Sequence, residues 1–198
     1  ETLKELGAQI PEIVVLDADL SASTKTAVFA KAFPDRFFDT GIAEGNMMSV
    51  AAGLAASGKI PFASTFAVFG AGRAYEQIRN SICYPNLNVK VAVTHAGLTV
   101  GEDGATHQML EDIALMRALP NMTVVVPADA AETAQVIRWA ASYQGPVYIR
   151  MGRAKVEDVI SPDAEFVPGK STTLADGSDV TIMACGIMTQ QALQAAKM

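Results

Sequence analysis

Short, continuously apolar runs alternate along the chain with longer segments in which apolar residues recur every three or four positions. The runs at 13–16, 36–39, 60–66, 89–94, 123–126 and 147–150 have the length and the branched or aromatic content of buried strands. An initial segment and the segments 26–33, 44–57, 71–82, 110–119 and 130–141 have helical spacing. Strands that do not alternate in polarity, each followed by a helix, predict an α/β fold with a doubly wound parallel sheet covered on both faces. Ligands of such sheets bind beyond the carboxyl ends of the strands. Asp19, Ser23, Glu44, His95, Glu102, Asp103, His107 and Arg153 all fall at or just after a strand end or at a helix start, so the pattern predicts that they converge on one edge.

The pattern changes over 154–176, where Pro, Asp, Gly, Ser and Thr dominate and Pro162 and Pro168 break any long helix. This stretch reads as a linker. A strand at 180–184 and a helix at 189–198 follow. One strand and one helix cannot bury a core, so the expected organisation is a domain over 1–153, a linker over 154–176, and the start of a truncated second α/β domain over 177–198.

Composition narrows the function classes. Of 198 residues half are hydrophobic and 18% are charged, as in a globular protein. The net charge of −6, with Lys and Arg scattered, offers no basic stripe for nucleic acid. No apolar run approaches the roughly 18 residues that span a bilayer, and residues 1–4 do not begin a signal peptide, so the expectation is a cytoplasmic protein without a membrane partner. Cys83 and Cys185 lie far apart in apolar surroundings, which suits buried thiols better than a disulfide. With two histidines and no clustered cysteines, no metal site is expected on this chain.

Three stretches carry candidate chemistry. Gly41-Ile42-Ala43-Glu44-Gly45-Asn46-Met47 places one carboxylate just before the apolar helix that Gly58 closes. Buried without a partner, that acid would resist ionisation until something arrived to share a proton. The plainer reading is a first-turn acid favoured by the helix dipole. The loop 94–108 holds Gly97, Gly101 and Gly104 and both histidines, His95 and His107, around the pair Glu102-Asp103. Glycines let a backbone turn sharply, and histidine moves protons near neutral pH, so the loop reads as functional more readily than as surface decoration. Phe66 and Phe69 in Ser64-Thr65-Phe66-Ala67-Val68-Phe69-Gly70 are two rings at a strand end, a spacing that is commonly core but that at this edge suits stacking on an aromatic ligand.

Together with Pro120-Asn121-Met122, these stretches resemble the pyrimidine-binding domain of transketolase, from about Val14 to Arg153. The diphosphate-binding domain that precedes it in ordinary transketolases is not in this sequence, so the chain is similar to the C-terminal subunit of a split transketolase. Cys185-Gly186 resembles the start of the family's third domain. The resemblance implies thiamine diphosphate, with Mg²⁺ held by the partner subunit, and transfer of a two-carbon ketol unit from a ketose phosphate to an aldose phosphate. It implies that Glu44 bonds the aminopyrimidine nitrogen and that Phe66 and Phe69 pack on that ring, with Asp19 near the cofactor. Gly72 stands where the family has another pocket aromatic. By the same resemblance Asp103 meets a sugar hydroxyl and His107 a reacting oxygen, while Ser23, His95 and Arg153 hold the acceptor's phosphate. The implied partners are a separate diphosphate-binding subunit and a second copy of this chain, the latter through the apolar residues Met47, Met48, Val50 and Leu54 of the Glu44 helix. Deoxyxylulose-phosphate synthase shares the fold; His95 and Glu102 favour transketolase, whereas Ala96-Gly97 and Arg73-Ala74-Tyr75 lean to that rival. The chain is also compatible with the β subunit of a 2-oxo-acid dehydrogenase decarboxylase, which pairs with a separate subunit, and with an inactive structural subunit that keeps the fold. The presence of Glu44, Asp103 and His107 together opposes the inactive subunit.

Overall fold

A computed structural model describes residues 1–161 and 164–198. Six strands form one parallel sheet in the order β2-β1-β3-β4-β6-β5. They are β1 (Ile13–Asp17), β2 (Phe37–Asp39), β3 (Ile60–Phe66), β4 (Lys90–Thr94), β5 (Thr123–Val125) and β6 (Val147–Arg150). The order runs outward from β1 in one direction and from β3 in the other, as expected for a doubly wound sheet. Register aligns the carboxyl ends, with Asp17 opposite Asp39 and Ser64, Phe66 opposite Thr94, and Val93 opposite Arg150.

The helices are α1 (Thr2–Gln9), α2 (Ser21–Thr24), α3 (Ala27–Ala32), α4 (Glu44–Ala56), α5 (Tyr75–Gln77), α6 (Asp112–Arg117), α7 (Ala130–Ser142) and α8 (Met188–Ala195). On one face Leu16, Ala63, Val91 and Tyr148 pack with Met47 and Met48 of α4, Ile78 and Met116. On the other face Val15, Phe62, Ala92 and Ile149 pack with Leu6, Phe29, Val136 and Ala140. Successive strand residues thus enter different cores, which explains why these strands show no polar face.

Four expectations need correction. The helix expected over 71–82 is an irregular segment in which wide π turns, Val68–Arg73 and Ile78–Cys83, flank the short α5. Gly70 lies there against β4: an added Cβ would sit 3.0 Å from Val93 Cγ1. Residues 180–184 form no strand, and Val180, Ile182 and Met183 are 78, 53 and 92% exposed, because no neighbouring strand offers a ladder. For the same reason Cys185 is exposed; only Cys83 is buried, and burial pushes its thiol up to about 12. Met47 and Met48 are wholly buried in the chain's own core, so they are not free to join a dimer face; Val50 and Ile42 are the exposed apolar residues of this region. Pro162 lies outside the described residues. Among the described residues no helix is long and apolar enough to cross a membrane.

Candidate functional site

Glu44 begins α4, and its side chain is 1% exposed. Arg73 partners it: Nη1 donates to Oε1 at 3.1 Å and to Oε2 at 2.9 Å. The same guanidinium lies 4.5 Å from the centre of the Phe69 ring. A carboxylate hidden from water needs such a partner, and a planar cation reaching in from the rim can supply it while staying partly hydrated. The sequence signalled this only weakly, since Arg73 is 29 positions from Glu44 and follows two glycines in a segment read as an ordinary helix.

A group of rings lies alongside. Phe66 and His95 stack with centroids 3.8 Å apart, Phe66 and Phe69 are near-parallel at 5.9 Å, and His107 meets both phenylalanines edge-on at 6.5 and 5.4 Å. Phe66 is buried in this stack, so its face is taken by His95, and Phe69 is the more accessible ring. His95 has φ +58°, a left-handed conformation unusual for a side chain of its size. Burial pushes its imidazole below the usual range, Arg153 and His107 push the same way, and Asp103 opposes them. Burial thus favours the neutral ring of His95 in the free chain. His107 Nδ1 lies 2.9 Å from Thr106 Oγ1, and Asp103 is exposed.

The loop between the histidines is pinned at its base by the pairing of Gly97 with Met109 and by the Ala96 N–H, which donates to Met151 O. Beneath it Asp112 Oδ2 accepts from Tyr148 Oη at 2.9 Å and Arg150 Nε at 2.7 Å. Burial, with Asp112 beside it, raises the Tyr148 phenol well above its usual range. At the tip, Arg153 donates to both oxygens of Glu102, at 2.8 and 3.3 Å. Gly101 makes that approach possible, because a Cβ there would lie 2.5 Å from Arg153 Nη1.

The expected site residues do not all meet. His107, Asp103 and Arg153 all act on His95, and Phe66 and Phe69 join that group to Arg73 and Glu44. Ser23 is exposed on α2, and among the described residues no hydrogen bond links it to His95 or Arg153. Asp19 is also exposed; its N–H donates to Asp39 Oδ1 in a turn with φ +61°. The buried acid beside Asp19 is Asp17, which burial pushes up, Asp39 adding to it, while the Thr24 and Thr26 hydroxyls and the Leu20 N–H oppose. Those hydrogen bonds give Asp17 a structural role in shaping 18–26. A cavity of about 550 Å³ lies on the opposite face of the sheet, lined among others by Val15, Phe62, Ser64, Ala92 and Arg150, and Glu44, Phe69 and His107 are not part of it. The Glu44 site instead opens to solvent on its Arg73 side, where that side chain is half-exposed. Among the described residues no group of three or more His, Cys, Asp or Glu could hold a metal ion.

Residues 1–158 match the family described as "Transketolase, pyrimidine binding domain". The chain is 57% identical, over its whole length and 63% of the relative, to a "Putative transketolase C-terminal section" of Methanocaldococcus jannaschii. It is 42% identical to a "6-deoxy-6-sulfo-D-fructose transketolase subunit" of a Clostridium species, over its whole length and 61% of that protein. A solved structure described as "Split gene transketolase, inactive beta4 tetramer" superposes with a TM-score of 0.90 at 66% identity, covering 99% of this chain and 63% of that one. The chain thus spans about three fifths of the length of these relatives.

Proposed function

Because the chain belongs to the transketolase family through its pyrimidine-binding domain, we propose that it is the pyrimidine-binding subunit of a split transketolase. Paired with a separate diphosphate-binding subunit, it moves a two-carbon ketol unit from a ketose phosphate to an aldose phosphate. The observation that carries this reading is Glu44, a carboxylate 1% exposed at an open sheet edge beside Phe69. Nothing in packing requires a charge there.

The residues present fit one half of thiamine diphosphate. Glu44 can bond a ring nitrogen and Phe69 can flank a planar ring, and beside them Gly72 leaves space, since an added Cβ would meet nothing within 4 Å. In this proposal the partner subunit holds the diphosphate and Mg²⁺ half. When bound, thiamine diphosphate would supply the chemistry that makes and breaks a carbon–carbon bond next to a carbonyl. This chain's part is to hold and polarise. Glu44 fixes the pyrimidine and exchanges a proton with it, and His107 and neutral His95 give or take protons at sugar oxygens, with Asp103 holding a hydroxyl. Arg153 pairs with the acceptor's anionic end in place of Glu102. Assembly as a homodimer is part of the proposal, with Ile42 and Val50 at the interface; the similar solved protein is described as a β4 tetramer.

Reconstitution tests the proposal. The purified chain should show no ketol transfer alone, and should gain activity dependent on thiamine diphosphate and Mg²⁺ when mixed with a diphosphate-binding subunit. Turnover by the chain alone, or a reconstituted complex that ignores the cofactor, would end this reading.

A further inference from the structure

Arg73 does more than neutralise Glu44, because its position bears on how anything else reaches that acid. A single nitrogen, Nη1, serves both carboxylate oxygens, at 3.1 and 2.9 Å. Two parallel bonds from two nitrogens would make the stronger fork, so this pair holds less tightly than a bidentate one. The side chains differ in freedom: Arg73 is 52% exposed and Glu44 is 1% exposed, so any parting moves the arginine. Space and a landing surface are both present. Nothing lies within 4 Å of a Cβ added at Gly72, and the Phe69 ring 4.5 Å away is a face on which a guanidinium can rest after it lets go.

We infer that Arg73 is a gate on Glu44, opened by a planar nitrogen heterocycle whose ring nitrogen takes the place of Nη1 at the carboxylate. The inference rests on the proposed function, and it adds a positioning residue to that site. While the gate is closed the guanidinium holds both oxygens of Glu44 and occupies the side from which a ring nitrogen would approach, so the apparent affinity for the heterocycle is scaled down to the fraction of time the gate stands open. After opening, the cation remains at the rim on Phe69, beside the ring it admitted.

The test uses thiamine diphosphate with Mg²⁺ as the probe, titrated calorimetrically into the full chain assembled with a diphosphate-binding subunit. Arg73→Met keeps the side chain's length and removes its charge. It should lower the dissociation constant about tenfold, which is about 1.4 kcal/mol, because the closed state is gone. Arg73→Lys, which keeps the charge but not the planar contact with Phe69, should fall between Arg73→Met and wild type. If the methionine variant does not fold, the lysine variant decides alone: tighter binding than wild type supports the gate, and equal or weaker binding overturns it. Wild-type binding with no gain in either variant overturns the gate and leaves the proposed function standing. Absence of binding by wild type and variants alike overturns both.

Discussion

Glu44 sits at the meeting of two demands, burial in the first turn of α4 and access to an open edge, and each can be tested by substitution. Glu44→Gln keeps shape and burial but gives up the ion pair to Arg73 and the exchangeable carboxyl proton. In the reconstituted enzyme, proton exchange at the thiazolium carbon should slow by about 10²–10⁴-fold, the range for loss of a positioned acid or base. Exchange near the wild-type rate would reduce Glu44 to a capping acid. Arg153 is held by Glu102, so two substitutions should act in opposite directions. Arg153→Ala should raise KM about tenfold for phosphorylated acceptors and hardly alter it for neutral ones, as expected for one exposed charge-assisted contact. Glu102→Gln should lower KM for the phosphorylated acceptors by freeing the guanidinium, and an unchanged KM would show that the pair only braces the loop. His95 makes a pH prediction. Its folded pKa lies below the unfolded value of about 6.5, so the unfolded chain takes up the proton first as pH falls. The stability it contributes is present above about 6.5 and is lost below it, and the urea midpoint should drop between pH 7 and pH 5 by less in His95→Asn than in wild type. At this scale the sequence exposed the residue types but not their partners. Glu44 was legible as a polar group at a helix start, and His95 and Arg153 as polar groups after strand ends; Arg73 on Glu44 and the burial of the Phe66 face by His95 depend on chain crossings that no local pattern encodes.

Helix α7 shows how an element is joined to the segment that follows the sheet. Asp129 is its N-cap: Oδ1 accepts from the Glu132 N–H at 2.9 Å, and Glu132 Oε2 accepts from the Ala128 N–H at 2.6 Å, a reciprocal variant of the capping box. The other oxygen, Oδ2, accepts from the Val159 and Ile160 N–H groups at 2.8 and 2.7 Å, so one carboxylate caps the helix and fastens the start of the connecting segment. Burial works against its charge, but the N–H groups of Glu132, Ile160, Val159 and Ala131 prevail and hold the carboxyl below the usual range. The folded pKa is lower than the unfolded one, so this contribution is present above about pH 4 and is lost as the carboxylate is protonated in acid. Asp129→Ala should cost about 1–2 kcal/mol in urea denaturation at pH 7. It should also admit protease near 159–160, and a clipping rate equal to wild type would mean that the two N–H bonds do not hold that segment. The central strands were legible because they are buried on both faces and therefore mostly apolar, β1 and β6 among them; β3 keeps that burial even at Ser64 and Thr65. The segment 68–83 was not, because its two wide turns break the helical period, and the tight packing of Gly70 on Val93 and Thr65 is a tertiary constraint that the local pattern does not carry. Residues 180–184 have a strand's composition but no neighbouring strand to bond with, and composition alone does not supply one.

Across the whole molecule, burial divides the chain unevenly. The two cores and the open Glu44 edge are built almost entirely before residue 161, and the match to the pyrimidine-binding family ends at 158. Beyond it, 171–185 are exposed throughout, and the C-terminal segment is held by the Gly186 N–H just before α8, which donates to Val126 O at 3.2 Å, and within α8 by the buried Thr189. An element fixed so lightly contributes little apolar burial to the cooperative unit, and its loss should cost correspondingly little. The exposed Val180, Ile182 and Met183 meanwhile give water an apolar strip that favours self-association. A chain ending at residue 176 should therefore unfold at a urea midpoint close to that of the full chain, with nearly the same m value, since m follows the surface exposed on unfolding. Light scattering should show less concentration-dependent association. A large drop in the midpoint would mean that α8 belongs to the folding unit of the sheet. Unchanged scattering would show that association proceeds through another surface, such as the Ile42 and Val50 region beside Glu44.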